Sequence, residues 1–126
     1  MITGKVWGKT KTLLATPFVE MHRVSIAPHS RCSMHLHEHK HNAFLVISGS
    51  LTIEVEKNDY ELTDKTELGP GDFTVVKPGE FHQFISGSDP VDAIEVYYPE
   101  PLSEDIERRD CGESEMHLNG LEPPCA

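Results

Sequence analysis

The chain has 126 residues, enough for one domain with a real core and too few for two. Its 21 acidic residues against 11 basic ones give a net charge of −10 with the histidines neutral. That balance argues against nucleic acid and anionic membrane surfaces as partners, since both reward basic patches, but it leaves room for a small anionic substrate beside a bound cation. No apolar window is long enough to span a bilayer, and the first ten residues lack the apolar stretch of a signal peptide, so a cytoplasmic location is the expectation. Cys32, Cys111 and Cys125 follow no metal-finger or redox spacing, and no disulfide framework is expected.

In chain order, residues 4–8 read as a lead-in around Trp7, the only tryptophan. Residues 10–16 form a weak strand and residues 18–27 a better one, with Phe18, Glu20, His22, Val24 and Ile26 on one face. Pro28-His29-Ser30-Arg31 is a turn. Residues 32–37 read as a strand entering a histidine cluster, and residues 38–41 as a loop or hairpin. The apolar run 43–48 reads as a strand buried on both faces. Leu51, Ile53 and Val55 alternate with polar residues in a half-exposed strand. A turn at 57–59 leads to a short strand over 60–62. Leu68-Gly69-Pro70-Gly71-Asp72 is a turn, 73–76 a strand, 77–80 another turn, and strands over 81–85 and 91–98 complete the set. Short strands separated by Gly and Pro turns predict an all-β sandwich or barrel. From Pro99 the chain becomes acidic. Residues 102–109 admit a short helix, and residues 110–126 read as a largely disordered tail.

The chemistry concentrates in C-S-M-H-L-H-E-H-K-H-N-A-F-L-V-I-S-G. His35, His37, His39 and His41 occupy alternate positions, so in an extended strand they share a face and two of them can aim at one point. Neutral imidazoles suit zinc, iron, nickel and copper. The bland reading, a solvated histidine cluster at a turn, weakens beside the second segment, Gly71 to His82.

Together the two segments resemble the motifs of the cupins, G-x5-H-x-H-x3-4-E-x6-G and G-x5-P-x-G-x2-H-x3-N. His35 and His37 fill the H-x-H, Gly49 closes the first motif, and Gly71, Gly79 and His82 fall in register in the second. The resemblance implies a single cupin domain over residues 1–100, a double-stranded β-helix or jelly roll, with the acidic segment 101–126 appended. It implies one divalent metal ion (Zn, Fe, Mn or Ni) held by His35, His37 and His82. The departures are His29 at the first glycine, Asn42 at the glutamate, Lys77 at the proline and Ser86 at the final asparagine. A carboxamide is a weaker, neutral ligand than a carboxylate, so Asn42 is either a fourth ligand or a hydrogen-bonding neighbour. His41 is the alternative to complete the shell.

A narrower resemblance is to the C-terminal domain of type II mannose-6-phosphate isomerases. It rests on Val6-Trp7-Gly8, the histidine-rich segment through Gly49, Ile94-Glu95-Val96 and Ser103-Glu104-Asp105-Ile106-Glu107-Arg108. It implies a metal-dependent enzyme acting on a small oxygen-rich substrate, anionic or a sugar phosphate, with Lys40 as a basic group at the mouth. Glu95 and Tyr97 share a strand face; if that face lines the barrel, Glu95 is a candidate general base and Tyr97 a hydrogen-bond donor. Two other readings stand beside this one: a three-histidine iron oxygenase, and a non-catalytic metal- or sugar-binding module. Strand edges that need cover lead to the expectation of a homodimer through the N-terminal strands, around Trp7 and residues 10–16.

Overall fold

The computed structural model describes residues 1–57, 62–99 and 111. Within them the chain is an all-β jelly roll of nine strands and no helix. The strands are β1 (Ile2–Lys5), β2 (Gly8–Ala15), β3 (Glu20–Ile26), β4 (Lys40–Ser48), β5 (Leu51–Glu56), β6 (Thr63–Leu68), β7 (Phe73–Val76), β8 (His82–Ser86) and β9 (Val91–Pro99). A six-stranded sheet in the order β1-β2-β3-β9-β4-β7 faces a three-stranded sheet in the order β6-β5-β8, and every pairing is antiparallel. The inner faces enclose a core of Val24, Ile26, Phe44, Val46, Leu51, Ile53, Leu68, Val76, Phe84, Val91 and Ala93. This is the alternation expected of two sheets packed face to face.

Several expectations need correction. Residues 32–37 are not a regular strand; they touch β8 through two isolated bridges, Arg31 to Ile85 and His35 to His82. Strand β4 begins at Lys40, inside the expected loop, and it is not buried on both faces: Asn42, Phe44 and Val46 point in, while Leu45 and Ile47 stay about two-fifths exposed at 38% and 40%. The strand expected over 60–62 lies outside the described residues except for Leu62, which is not in a strand, and β6 over Thr63–Leu68 was not expected. Cys32 is a buried free thiol, but Cys111 is disulfide-bonded, against the reading that no cysteine pairs. The expected helix and tail over 101–126 lie outside the described residues, Cys111 apart. No helix among the described residues is long and apolar enough to cross a membrane.

The motif departures are accommodated locally. Gly49, Gly71 and Gly79 have φ of 87°, 85° and 82°, and His29, standing at the motif's first glycine, adopts φ 53°, a left-handed conformation that costs a non-glycine residue about 1–2 kcal/mol. Ser86, at the motif's asparagine, accepts from the Ser30 amide at 2.9 Å and donates to the Ala27 carbonyl at 2.6 Å, fixing the turn that carries His29. Lys77, at the motif's proline, donates its amide to Glu80 Oε1 at 3.0 Å, a bond proline cannot make.

Candidate metal centre

His35, His37 and His82 come together although only His82 lies in a strand. His35 and His82 exchange both backbone hydrogen bonds, at 3.0 and 2.8 Å, which sets their side chains next to each other. The Gly79 amide donates to the His37 carbonyl at 2.8 Å, fixing the turn before β8 to the histidine segment. The ring centroids lie 4.6 Å (His35–His82), 5.0 Å (His35–His37) and 5.5 Å (His37–His82) apart. One nitrogen from each ring lies within 4.8 Å of the others.

The hydrogen bonds decide which nitrogens face inward. His35 Nδ1 lies 2.7 Å from the Ser33 carbonyl and His82 Nδ1 lies 2.9 Å from the Glu80 carbonyl. A carbonyl only accepts, so both rings carry their proton on Nδ1 and turn the Nε2 lone pair inward. His37 Nε2 is buried without a hydrogen-bond partner. Asn42 adds to this pattern: its Oδ1 stands 3.0 Å from His82 Nε2 while its Nδ2 donates to Glu95 Oε2 at 3.3 Å. Two lone pairs therefore meet at His82 Nε2, and a cation or a proton there relieves them. Burial opposes the proton, since it holds His82 below the ordinary histidine range. Burial, seconded by Lys40 and the other two rings, brings His37 down to about 4. Three imidazoles facing one point, two of them oriented by backbone carbonyls and two (His37 and His82) with protonation disfavoured by burial, form a donor set that fits a divalent metal ion.

Glu95 and Tyr97 point inward from β9. Glu95 pairs in register with His22 on β3 and Phe44 on β4, and Tyr97 with Asn42. Burial raises the Glu95 pKa, and hydrogen bonds from Tyr97 and Asn42 pull the other way. Burial and the Glu95 charge push the Tyr97 phenol up, so it stays protonated and able to donate. A cavity of about 640 Å³ opens beside them, lined by His35, Glu95, Tyr97, His22, Trp7 and Arg31 among others. His22 is held by Thr12 Oγ1 and Glu20 Oε2, each at 3.3 Å.

The remaining sequence candidates lie elsewhere. His41 faces away from Asn42 along β4 and stacks on Tyr98, with centroids 4.8 Å apart and planes 6° apart, and it does not join the three-histidine group. Lys40 Nζ sits 4.1 Å over the Tyr97 ring, and it lines a smaller cavity of about 230 Å³ rather than the one holding His35 and Glu95. His39 is 93% exposed beside Glu38. Lys5, Arg31 and Ser33, all cavity-lining, were missed; running the alternation of His35 and His37 two steps back reaches Ser33 and Arg31.

This architecture and histidine convergence are those of a cupin. The Cupin domain family matches residues 22–97, a span that contains all three histidines, and the chain belongs to that family. No curated protein matches it. Among solved structures it is similar to KdgF from Halomonas sp., at 22% identity over 74% of this chain and 81% of KdgF, with a TM-score of 0.63. It is also similar to the capsular polysaccharide assembling protein CapF from Staphylococcus aureus, at 17% identity over 78% of this chain and 28% of CapF, with a TM-score of 0.71. A third is recombinant oxalate oxidase in complex with glycolate, at 19% identity over 66% of this chain and 43% of that enzyme, with a TM-score of 0.58. At such identities the likeness shows the fold alone.

Proposed function

We propose that this cupin is a metal-dependent enzyme that moves a proton on a small, oxygen-rich, anionic substrate, an isomerase of the mannose-6-phosphate isomerase kind. The observation that carries the reading is Glu95: a half-buried carboxyl on the wall of the same cavity as His35, with its pKa raised by desolvation. A carboxyl that is costly to ionise there is a stronger base once ionised, which is what proton abstraction beside a carbonyl requires. A divalent ion on His35, His37 and His82 would supply the Lewis acid that polarises the substrate oxygen. Asn42 holds Glu95 Oε2 on the side facing His82, and the protonated Tyr97 hydroxyl is placed to donate to Glu95 or to a substrate oxygen. Lys40, over the Tyr97 ring, positions that ring rather than touching substrate.

The test is isotope exchange. Zinc- or manganese-loaded protein is incubated in D2O with mannose 6-phosphate, fructose 6-phosphate and their unphosphorylated sugars, and loss of the proton beside the carbonyl is followed by NMR. Exchange that Glu95→Gln abolishes, with metal content unchanged, supports the reading; exchange by neither protein refutes it. Among the described residues the group holds histidines and no carboxylate, which favours a second reading, a three-histidine iron oxygenase, for which oxygen uptake by iron-loaded protein is the measurement. The assembly we propose is a homodimer through the exposed strand β1 and its neighbour β2, and a monomer mass in sedimentation at micromolar concentration would exclude it.

A further inference from the structure

We infer that Lys5 and Arg31 form an anion-binding end of the larger cavity, which takes the terminal carboxylate or phosphate of a short polyhydroxy substrate whose other end reaches His35 and Glu95. This rests on the proposed reading for its inner end only. The cavity's volume, about 640 Å³, is that of a small-molecule site. Its charged lining is one acid, Glu95, half-buried beside Asn42 and Tyr97, and two permanent cations, Lys5 and Arg31.

Those cations stand apart in this chain. With 21 acidic against 11 basic residues, a basic side chain readily finds a partner, and Arg23, Lys57 and Lys65 do, on Asp92, Glu80 and Glu54. Among the described residues, Lys5 and Arg31 make no ion pair. Both are carried on fixed backbone. Arg31 bridges Ile85, and the next amide, Cys32, donates to the Phe84 carbonyl at 3.3 Å. Lys5 ends β1 opposite Gly8. A side chain at Gly8 would collide with the Ser25 carbonyl, so this glycine lets the hairpin lie close against β3. The Ala27 amide donates to the Trp7 carbonyl at 2.8 Å, and the Trp7 ring meets Phe84 edge-on with centroids 4.9 Å apart. Trp7 is thus held rigidly as one wall of the cavity.

The spacing sets the length of the occupant. Arg31 and His35 bridge Ile85 and His82, three residues apart on β8, so their Cα atoms lie about 10 Å apart. With the Arg31 side chain lining the same cavity as His35, a chain of five or six carbons is of a length to bridge the two. A guanidinium grips a carboxylate or a phosphate through paired N–H donors, and the lysine adds a point charge beside it.

The test is calorimetric titration of zinc-loaded and metal-free protein with D-gluconate, D-glucose 6-phosphate and uncharged D-glucitol. Wild type is expected to bind at least one anion about tenfold or more tightly than glucitol. The pair Lys5→Gln with Arg31→Gln should lose that preference at unchanged metal content, and Arg31→Lys should keep part of it. Which anion binds better distinguishes a carboxylate from a phosphate substrate. Equal binding of anions and glucitol by wild type, or undiminished anion binding by the double variant, overturns the inference. If the protein retains no metal but its metal-free form still binds anions through Lys5 and Arg31, the metal-enzyme reading fails and this one stands.

Discussion

Strands β3, β4, β8 and β9 each carry two kinds of interior. Toward one end of the barrel their inward residues are His22, Asn42, His82, Glu95 and Tyr97; toward the other they are Val24, Ile26, Val46, Phe84, Val91 and Ala93. The register shows how sharp the boundary is. Glu95 sits opposite His22 and Phe44, and one inward step further Ala93 sits opposite Val24 and Val46. One end removes apolar surface from water and supplies the stability. The other buries groups whose burial is unfavourable unless something binds them. The same hydrogen-bond ladder runs through both, so the apolar end acts as the clamp that keeps polar groups where they would not gather unaided.

The largest effect should come from breaking the clamp. Phe44, 1% exposed, stands at the boundary with Phe84 and His82 rings 6.2 and 6.4 Å away. Phe44→Ala should cost about 3–5 kcal/mol, read from the urea midpoint, and loosen metal binding with it. Next is the polar end itself. His35→Ala with His82→Ala should take bound metal from one equivalent to none while the protein stays folded; a full equivalent in the double variant would mean that the ion sits elsewhere.

A smaller effect is the pH dependence of the metal-free protein. His37 titrates at about 4 in the folded state against 6.5 ordinarily, chiefly through burial. The unfolded chain therefore binds a proton between those values that the folded protein refuses, so this residue's contribution is intact above pH 6.5 and lost as pH falls toward 4. Glu95, raised by burial, works in the opposite sense, its contribution being lost as pH rises through its folded pKa. His37→Gln should flatten the acid side of the profile, and Glu95→Gln should raise stability on the neutral side. Urea midpoints from pH 4 to 8 separate the two. The smallest change is His39→Ala, which should leave metal content alone and move stability by less than about 0.5 kcal/mol.

The fold was legible where alternation or turn chemistry is strong, and the three histidines were legible because the two motifs fix their spacing. What escaped has physical reasons. Strand β6, Thr63-Asp64-Lys65-Thr66-Glu67-Leu68, is exposed except at Leu68; an edge strand held chiefly by its backbone ladder to β5 needs no apolar period. Strand β1 is exposed throughout and escaped for the same reason. The run over residues 43–48 looked doubly buried because hydrophobicity does not say whether anything covers the outer face, where Leu45, Ile47, Phe73 and Val75 remain exposed. Whether Glu95 and Tyr97 face in or out follows from their phase with Val91 and Ala93, a phase that the mixed polarity of β9 obscured. Lys5 and Arg31 escaped because they join the cavity from a hairpin end and an irregular segment.

The two carbonyls that steer His35 and His82 have a consequence for how this site varies. A histidine ligand is commonly tuned through the group on its outer nitrogen, since a carboxylate there raises its basicity more than a neutral acceptor does. Ser33 and Glu80 do this work through main-chain oxygen, which every amino acid possesses. Replacing either residue by Ala, with the backbone path kept, should leave both rings aimed as before. An alanine scan would leave both carbonyl supports in place, and what it would remove is the Ser33 Oγ, 3.2 Å from His35 Nδ1, and the Glu80 carboxylate that holds the Lys77 amide and Lys57. The adjustable contact is Asn42, whose oxygen meets His82 directly. Divergence in metal preference among relatives of this chain should therefore concentrate at that position.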